Sequence, residues 1–319
     1  MKKQYDEAHK IQRLYIHWDV STQCSLKCSY CYAWKQYGKD WGKLAGWASQ
    51  QLVIHAPRKA SLPIFLGLLG GEPTDHPKYL ELLEKVSTVI SKHKDSRLYI
   101  TTNGLQDRDF FEEHPVYPNT YFLFSFHPEY ESKYGEGFSL LLDNIRTIQE
   151  KGFRVKVNVM LHHRKFFWKK TQTFVDKLEE IGDLEIHPHF LYEDGDVHSL
   201  ESYTEGFFEE FRRFKKYPGY LVYEDEEGAT KEVLNDYEVF SQDRTDFKGW
   251  TCWNNNYEIS WEGKVARFCF EEHADLITNV NYFKNIESVI PKTCPHTSCN
   301  CDGLLKIYKE WGWRMLAGR

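Results

Sequence analysis

Apolar positions along the first 190 residues fall into two alternating rhythms. Short segments that are continuously apolar or alternate with period two lie at residues 14–20, 63–69, 97–101, 120–125, 154–160 and 184–190, and each predicts a strand. Between them, leucines, valines and isoleucines recur at helical spacing over 77–93, 138–151 and 169–181. Gly152 and Gly182 follow the last two stretches, as stop residues do. Pro188 limits pairing in the sixth strand. Repeated strand–helix alternation argues for parallel βα units around one sheet. About 180 residues hold them, fewer than the roughly 250 of a full eight-fold barrel. The economical reading is an α/β fold, a partial (βα)6 TIM-like barrel.

The pattern changes beyond residue 190. Residues 199–216 read as a helix, and an acidic stretch around 223–228 reads as part of a bridge. Residues 257–268 look like a hairpin turning at Glu262-Gly263, followed by short apolar pieces and cysteines. So little core is better explained by a metal staple than by hydrophobic burial. The expected organisation is an N-terminal extension (1–13), a barrel (14–218), a bridging segment (219–249) and a small cysteine-rich C-terminal domain (250–319).

Composition supports a folded chain, with 41% hydrophobic and 28% charged residues among 319. The net charge of −6 argues against a surface built to track nucleic acid, and the basic–aromatic run 164–170 reads as a solvated helix start. No segment has the character of a signal peptide or a bilayer span, so a cytoplasmic protein without a membrane partner is expected. In a reducing compartment, cysteines point to metal or catalysis rather than disulfides. The eight cysteines fall into two groups, three within Cys24–Cys31 and five within Cys252–Cys301, with about 220 residues between. Buried cysteines serving only as small hydrophobes would be scattered.

Cys24, Cys28 and Cys31 follow the first strand at Cys-x3-Cys-x2-Cys spacing. One tight loop can therefore present three thiolates to three irons of a cluster and leave the fourth iron open, zinc or a purely structural role being the alternative. This motif, with aromatic Tyr30 before its last cysteine, resembles the signature of the radical S-adenosylmethionine (SAM) enzymes. The resemblance extends over about residues 14–190. Gly70-Gly71-Glu72-Pro73 after the second strand is similar to the family's glycine-rich segment, which contacts the amino group of SAM. Thr101-Thr102-Asn103-Gly104 after the third strand and Ser125 at the end of the fourth are similar to positions lining the SAM pocket. Asn158 in the fifth strand is a further candidate, facing the SAM ribose or the barrel interior. The resemblance implies a catalytic 4Fe–4S cluster, SAM as cofactor, and an electron donor such as flavodoxin or ferredoxin. It also implies reductive cleavage of SAM to a 5′-deoxyadenosyl radical that abstracts a substrate hydrogen.

Cys252, Cys269, Cys294, Cys299 and Cys301 resemble the auxiliary-cluster extensions of such enzymes, the SPASM and twitch domains, in which cysteines flanking a hairpin supply two ligands. Six positions separate Gly263 from Cys269, one more than the usual pattern, and the tail Cys294-x4-Cys299-x-Cys301 is not the standard SPASM series. Five thiols suffice for one second 4Fe–4S cluster with one to spare, structural zinc being the alternative. Cys299 or Cys301 is a candidate hydrogen-atom donor if it is the spare. His127, His162, His163, His187 and His189 lie near strand ends and read as polar residues of the rim rather than catalysts. The resemblance implies a peptide substrate, as in maturases of ribosomal natural products that cross-link or epimerise peptides. A sugar, nucleotide or amino acid is the alternative, and a non-enzymatic iron–sulfur or zinc protein that binds a partner is the remote one. The first strand begins near Leu14, so a leader peptide is expected to bind the barrel or a separate leader-binding protein.

Overall fold

The structure, a computed structural model, describes residues 3–6, 13–31, 40, 42–57, 60–191, 203–225, 227–266, 290–299 and 306–311. Its strands are β1 (Lys3–Asp6), β2 (Leu14–Ser21), β3 (Ile64–Gly70), β4 (Arg97–Thr102), β5 (Thr120–Phe126), β6 (Arg154–Leu161), β7 (Glu185–Phe190), β8 (Leu221–Glu224), β9 (Lys231–Leu234), β10 (Thr251–Asn254), β11 (Asn256–Ile259), β12 (Val265–Ala266), β13 (Ile290–Thr293) and β14 (Lys309–Glu310). They form two sheets, an eight-stranded one ordered β12-β11-β2-β3-β4-β5-β6-β7 and a six-stranded one ordered β13-β10-β14-β1-β8-β9.

Strands β2 to β7 pair in parallel in sequence order, which is the expected six-stranded run. Each strand sends alternate residues to opposite faces. Ile16, Trp18, Leu66, Leu68, Ile100, Phe122, Phe124, Val157 and Val159 form the outer, helix-covered face and are fully buried. The covering helices run over Tyr79–Ile90, Ser139–Glu150 and Trp168–Ile181. In the first, Tyr79, Leu82, Leu83, Val86 and Ile90 recur every three or four residues and bury one stripe. The second is followed by Gly152 and the third by Gly182, both with positive φ. Stacking of Phe126 on Phe174, with centroids 3.9 Å apart, locks the third helix to β5.

The inner face is of another character. Register sets Glu258, His17, Gly67, Tyr99 and Tyr121 side by side across five strands. Farther along lie Ser125, Asn158 and His187. A Cβ on Gly67 would strike the Tyr99 ring, so this strand glycine makes room for an inward aromatic. The interior is thus lined by polar and aromatic side chains.

The sheets cross the boundaries expected from the sequence. Strand β1 of the N-terminal extension and β8 and β9 of the bridge join β10, β13 and β14 of the cysteine-rich region in one sheet, with β1 paired between β14 and β8. The hairpin forms as expected, with Gly263 at positive φ in its turn. Its strand β11 runs parallel to β2, however, and belongs to the barrel sheet, where it covers an edge that would otherwise be open. The helix expected over 199–216 is shorter, a helix at Glu205–Glu210 followed by 3-10 turns at Arg212–Lys216, with 199–202 outside the described residues. Among the described residues no helix is long and apolar enough to cross a membrane.

Candidate functional site

The loop bearing Cys24, Cys28 and Cys31 leaves the C-terminal end of β2, the end at which parallel βα sheets carry their chemistry. It is held by the ends of three other strands. After β3, the Gly71 N–H donates to Ser21 O at 2.6 Å and the Glu72 N–H to Gln23 O at 2.7 Å. A Cβ on Gly70 would run into the Ser21 carbonyl and one on Gly71 into the Gln23 carbonyl. The two glycines therefore let β3 approach the cysteine loop itself, a closer reason for glycine than the ligand contact inferred from the sequence.

Glu72 is 2% exposed, and both its carboxylate oxygens are used. Oε1 accepts from Thr74 N–H at 3.1 Å and Thr74 Oγ at 2.7 Å, while Oε2 accepts from Asn103 N–H at 2.6 Å. Burial pushes its pKa up to about 7, against the hydrogen bonds from Asn103, Thr74 and Thr102. Pro73 opens the 3-10 turn Pro73–Asp75, whose Asp75 accepts from Ser25 N–H at 3.1 Å and from Gln106 Nε2 at 2.7 Å. From β4, Asn103 Nδ2 reaches Ser25 Oγ at 3.0 Å and Cys24 Sγ at 3.7 Å. Thr102 accepts the Gly104 N–H at 3.1 Å.

From β5, Tyr130 Oη accepts the Lys27 N–H at 3.0 Å, and Lys133 donates to Ser25 O at 2.7 Å. Glu129 accepts from Ser29 N–H at 2.7 Å, from the Ser29 hydroxyl, and meets His162 Nε2 at 3.3 Å. Burial would raise its pKa, but these bonds win and hold it at about 2. Tyr30 is buried against His127, with Oη and Nδ1 2.9 Å apart. Burial pushes the pKa of His127 down to about 4.

Cys24, Cys28, Tyr30 and Cys31 gather with Leu26, Leu105, Tyr130, Met160 and Leu191 in one small apolar cluster. Desolvation pushes the Cys24 thiol up to about 12 and Cys28 higher still. No disulfide joins the described cysteines. Among the described residues no three His, Cys, Asp or Glu converge on one ion. A cubane cluster takes each thiolate at a separate iron, so its ligands need not converge, and soft thiolates are the donors that such clusters use. The three residues fit that group. Ser125 and Asn158 are buried neighbours in the β5–β6 register, at the same end of the interior. The sequence thus named the glycines, Glu72 and Asn103, which the structure brings to the loop, and Thr102, which bonds Glu72 and Gly104 behind it, but passed over Asp75, Gln106, Glu129, Tyr130 and Lys133. The spacing of Glu129 and Tyr130 just behind His127 was the only local signal.

In the second sheet, Cys252, Cys294 and Cys299 share a core with Leu221, Tyr223, Leu234, Val239, Phe247 and Ile307. Cys294 exchanges backbone bonds with Gly249 and Trp250, and the Cys299 N–H donates to Thr245 O. Lys309, 1% exposed, stands opposite Cys252 in the β10–β14 register, with Nζ 4.8 Å from the Phe247 ring centre. Burial raises the Cys252 pKa to about 12 against the pull of that cation. Cys269 and Cys301 lie outside the described residues.

Residues 18–176 match the profile of the radical SAM superfamily. No curated protein matches the sequence. Among solved structures, Streptococcus suis SuiB bound to precursor peptide SuiA superposes with a TM-score of 0.54 at 11% identity, over 88% of this chain and 66% of SuiB. The chain therefore spans just under two thirds of that protein. Native anSMEcpe with bound AdoMet gives 0.56 at 14% identity, over 86% and 81%. The same enzyme with AdoMet and the Cp18Cys peptide gives 0.51 at 17% identity, over 81% and 74%. At such identities the likeness speaks to the fold. The profile match, with its cysteine loop at the mouth of the parallel sheet, establishes that the chain carries a radical SAM domain over residues 18–176.

Proposed function

We propose that the chain is a radical SAM enzyme that modifies a peptide. The observation that carries the reading is the set of three thiols, Cys24, Cys28 and Cys31, held at the open end of a polar and aromatic barrel interior. When bound, a 4Fe–4S cluster with SAM supplies one-electron cleavage of the sulfonium bond and a 5′-deoxyadenosyl radical that takes a hydrogen atom from substrate. The protein's part is to hold and enclose. Asn103 and Ser25 fix the loop at Cys24, and the Glu72 carboxylate ties the ends of β3 and β4, where it would face the amino group of SAM. Ser125 and Asn158 offer polar contacts farther across the mouth. The apolar side chains around the thiols would limit the access of water to the bound group.

Cys252, Cys294 and Cys299, with Cys269 or Cys301, are proposed to hold a second 4Fe–4S cluster in a twitch-like unit, with Lys309 as a buried cation offsetting its negative charge. Structures of SuiB and anSMEcpe with peptides support the peptide reading. A flavodoxin- or ferredoxin-type protein is the proposed electron donor, and the proposed setting is the cytoplasm. A second reading, a small polar substrate, is favoured by charged groups inside the barrel. Lys156 pairs with Glu185 at 2.8 Å, and Glu258, its pKa pushed to about 7 by burial and by Asp19, lies on the same interior.

The test is anaerobic turnover of reconstituted protein with SAM, reductant and deuterated substrates of either class. Deuterium in 5′-deoxyadenosine from a peptide supports the first reading, and deuterium only from small molecules supports the second. Absence of 5′-deoxyadenosine from iron-loaded protein contradicts both.

A further inference from the structure

The three thiols of the loop are not equivalent. The Cys24 sulfur meets the Leu26 N–H at 3.4 Å and the Asn103 amide. Cys28 instead faces two side chains that carry movable protons. Its sulfur lies 3.5 Å from His127 Nδ1, and the Tyr30 hydroxyl hydrogen-bonds the same sulfur. Tyr30 Oη and His127 Nδ1 are themselves 2.9 Å apart, which closes a triangle. The two rings lie nearly parallel, at 11°, and His162 packs edge-on against Tyr30. Cys28 and Tyr30 are 4% and 8% exposed, so bulk water competes little for these bonds. His127 is fixed from behind, because its backbone N–H donates to Tyr134 Oη at 3.1 Å.

A thiolate that ligates iron has lone pairs and no proton, so in the triangle Cys28 can only accept. The arrangement that serves all three atoms has the proton of His127 on Nδ1, directed at Tyr30 Oη and the sulfur, and the Tyr30 proton on the sulfur. With the proton on Nε2, Tyr30 would donate to the imidazole, and the pair would offer the sulfur nothing. Hydrogen bonds to cluster sulfurs draw off electron density and favour the reduced, more negative state.

We propose that Tyr30 and His127 form a donor pair to the Cys28 thiolate that raises the reduction potential of the catalytic cluster. They are positioning residues, acting through the ligand sulfur. The inference rests on Cys24, Cys28 and Cys31 being the cluster's ligands.

The test is an EPR-monitored redox titration of full-length, anaerobically reconstituted wild type, Tyr30→Phe, His127→Phe and the double variant. The first cluster is identified by the signal that changes on adding SAM. Its midpoint should move to more negative potential in each single variant and farthest in the double, with iron content unchanged. His127→Gln, which keeps an N–H donor, should recover part of the shift. An unmoved midpoint in an iron-loaded double variant overturns the proposal. Should the variants lose iron, wild type grown on 15N-histidine decides: pulsed EPR of the reduced first cluster should show a 15N coupling, and its absence overturns the proposal. A wild type with no SAM-responsive cluster would instead contradict the ligand assignment, a separate failure.

Discussion

Cys24, Cys28 and Cys31 hang from one strand end of an eight-stranded, mostly parallel sheet, whereas Cys252, Cys294 and Cys299 lie within the core of a small antiparallel one. The first group is positioned by groups that need no metal. Gly71 and Glu72 from β3, Asn103 from β4 and Tyr130 and Lys133 beyond β5 all reach the loop, and behind them stands a large core of leucines, isoleucines and phenylalanines. In the second group the thiols are themselves three of the nine buried residues that make the core. A site braced by an independent scaffold can lose its ligands and keep its fold. Where ligands are the core, metal binding and folding become one event.

The largest expected effect follows from the braced site. Replacing Cys24, Cys28 and Cys31 together by Ala should reduce 5′-deoxyadenosine formation to background, while circular dichroism and the thermal midpoint stay near those of the wild type. A collapse of the fold would erase the contrast between the two regions.

Next come Cys252→Ala, Cys294→Ala and Cys299→Ala. On the proposed assignment of a second cluster, each should lose about half of the bound iron and lower the unfolding midpoint, because metal binding would contribute folding energy there. Iron analysis and denaturant melts on the same samples check this. Full iron in Cys299→Ala would make Cys299 the spare thiol and the candidate hydrogen donor.

Glu72 sharpens the comparison through pH. Its folded pKa, about 7, lies above the ordinary value of 4.5. Below pH 4.5 both states hold the proton; between there and 7 only the unfolded chain releases it. This group's contribution is therefore complete at low pH and declines by about 3 kcal/mol as pH rises through 7. Glu72→Gln lacks that slope, so urea melts of the two proteins at pH 5 and 7.5 should differ in their pH dependence. Parallel curves would contradict the shifted carboxyl. The variant should also bind SAM more weakly with its cluster retained.

Gly71→Ala is a smaller perturbation with a local target. Its Cβ would press on the Gln23 carbonyl, so the loop must move, at roughly 1–3 kcal/mol. Iron uptake at the first site should fall while the second stays loaded. Smallest is Ser125→Ala, which removes one polar contact worth about 1 kcal/mol and should weaken SAM binding several-fold in equilibrium titrations.

Strands β2 to β7 were legible because period-two alternation and apolar runs are local signals, and their observed ends differ from the expected ones by a residue or so. The helix Trp47–His55 escaped notice because its apolar residues do not gather on one face, with only Ser49 and Val53 buried. The second sheet was hidden for another reason. Strand β1 pairs with β8 and β14, more than 200 residues away, through strands of two to four residues that carry no pattern of their own. At the candidate site, residue type and spacing singled out Cys24 to Cys31, Glu72 and Asn103, which the structure brings together. The role of Gly70 and Gly71 toward Ser21 and Gln23, and the meeting of Tyr30 with His127, depend on two strand ends converging, which only the folded chain shows.

The division of labour between the two thiol groups is tested most directly by EPR of the reduced protein with and without SAM, in wild type and in the Cys24/Cys28/Cys31 triple Ala variant. Wild type should show two cluster signals, of which one changes when SAM is added. The triple variant should keep the unresponsive signal and lack the other. A SAM-responsive signal that persists in the triple variant would contradict the assignment of the first group as the catalytic site.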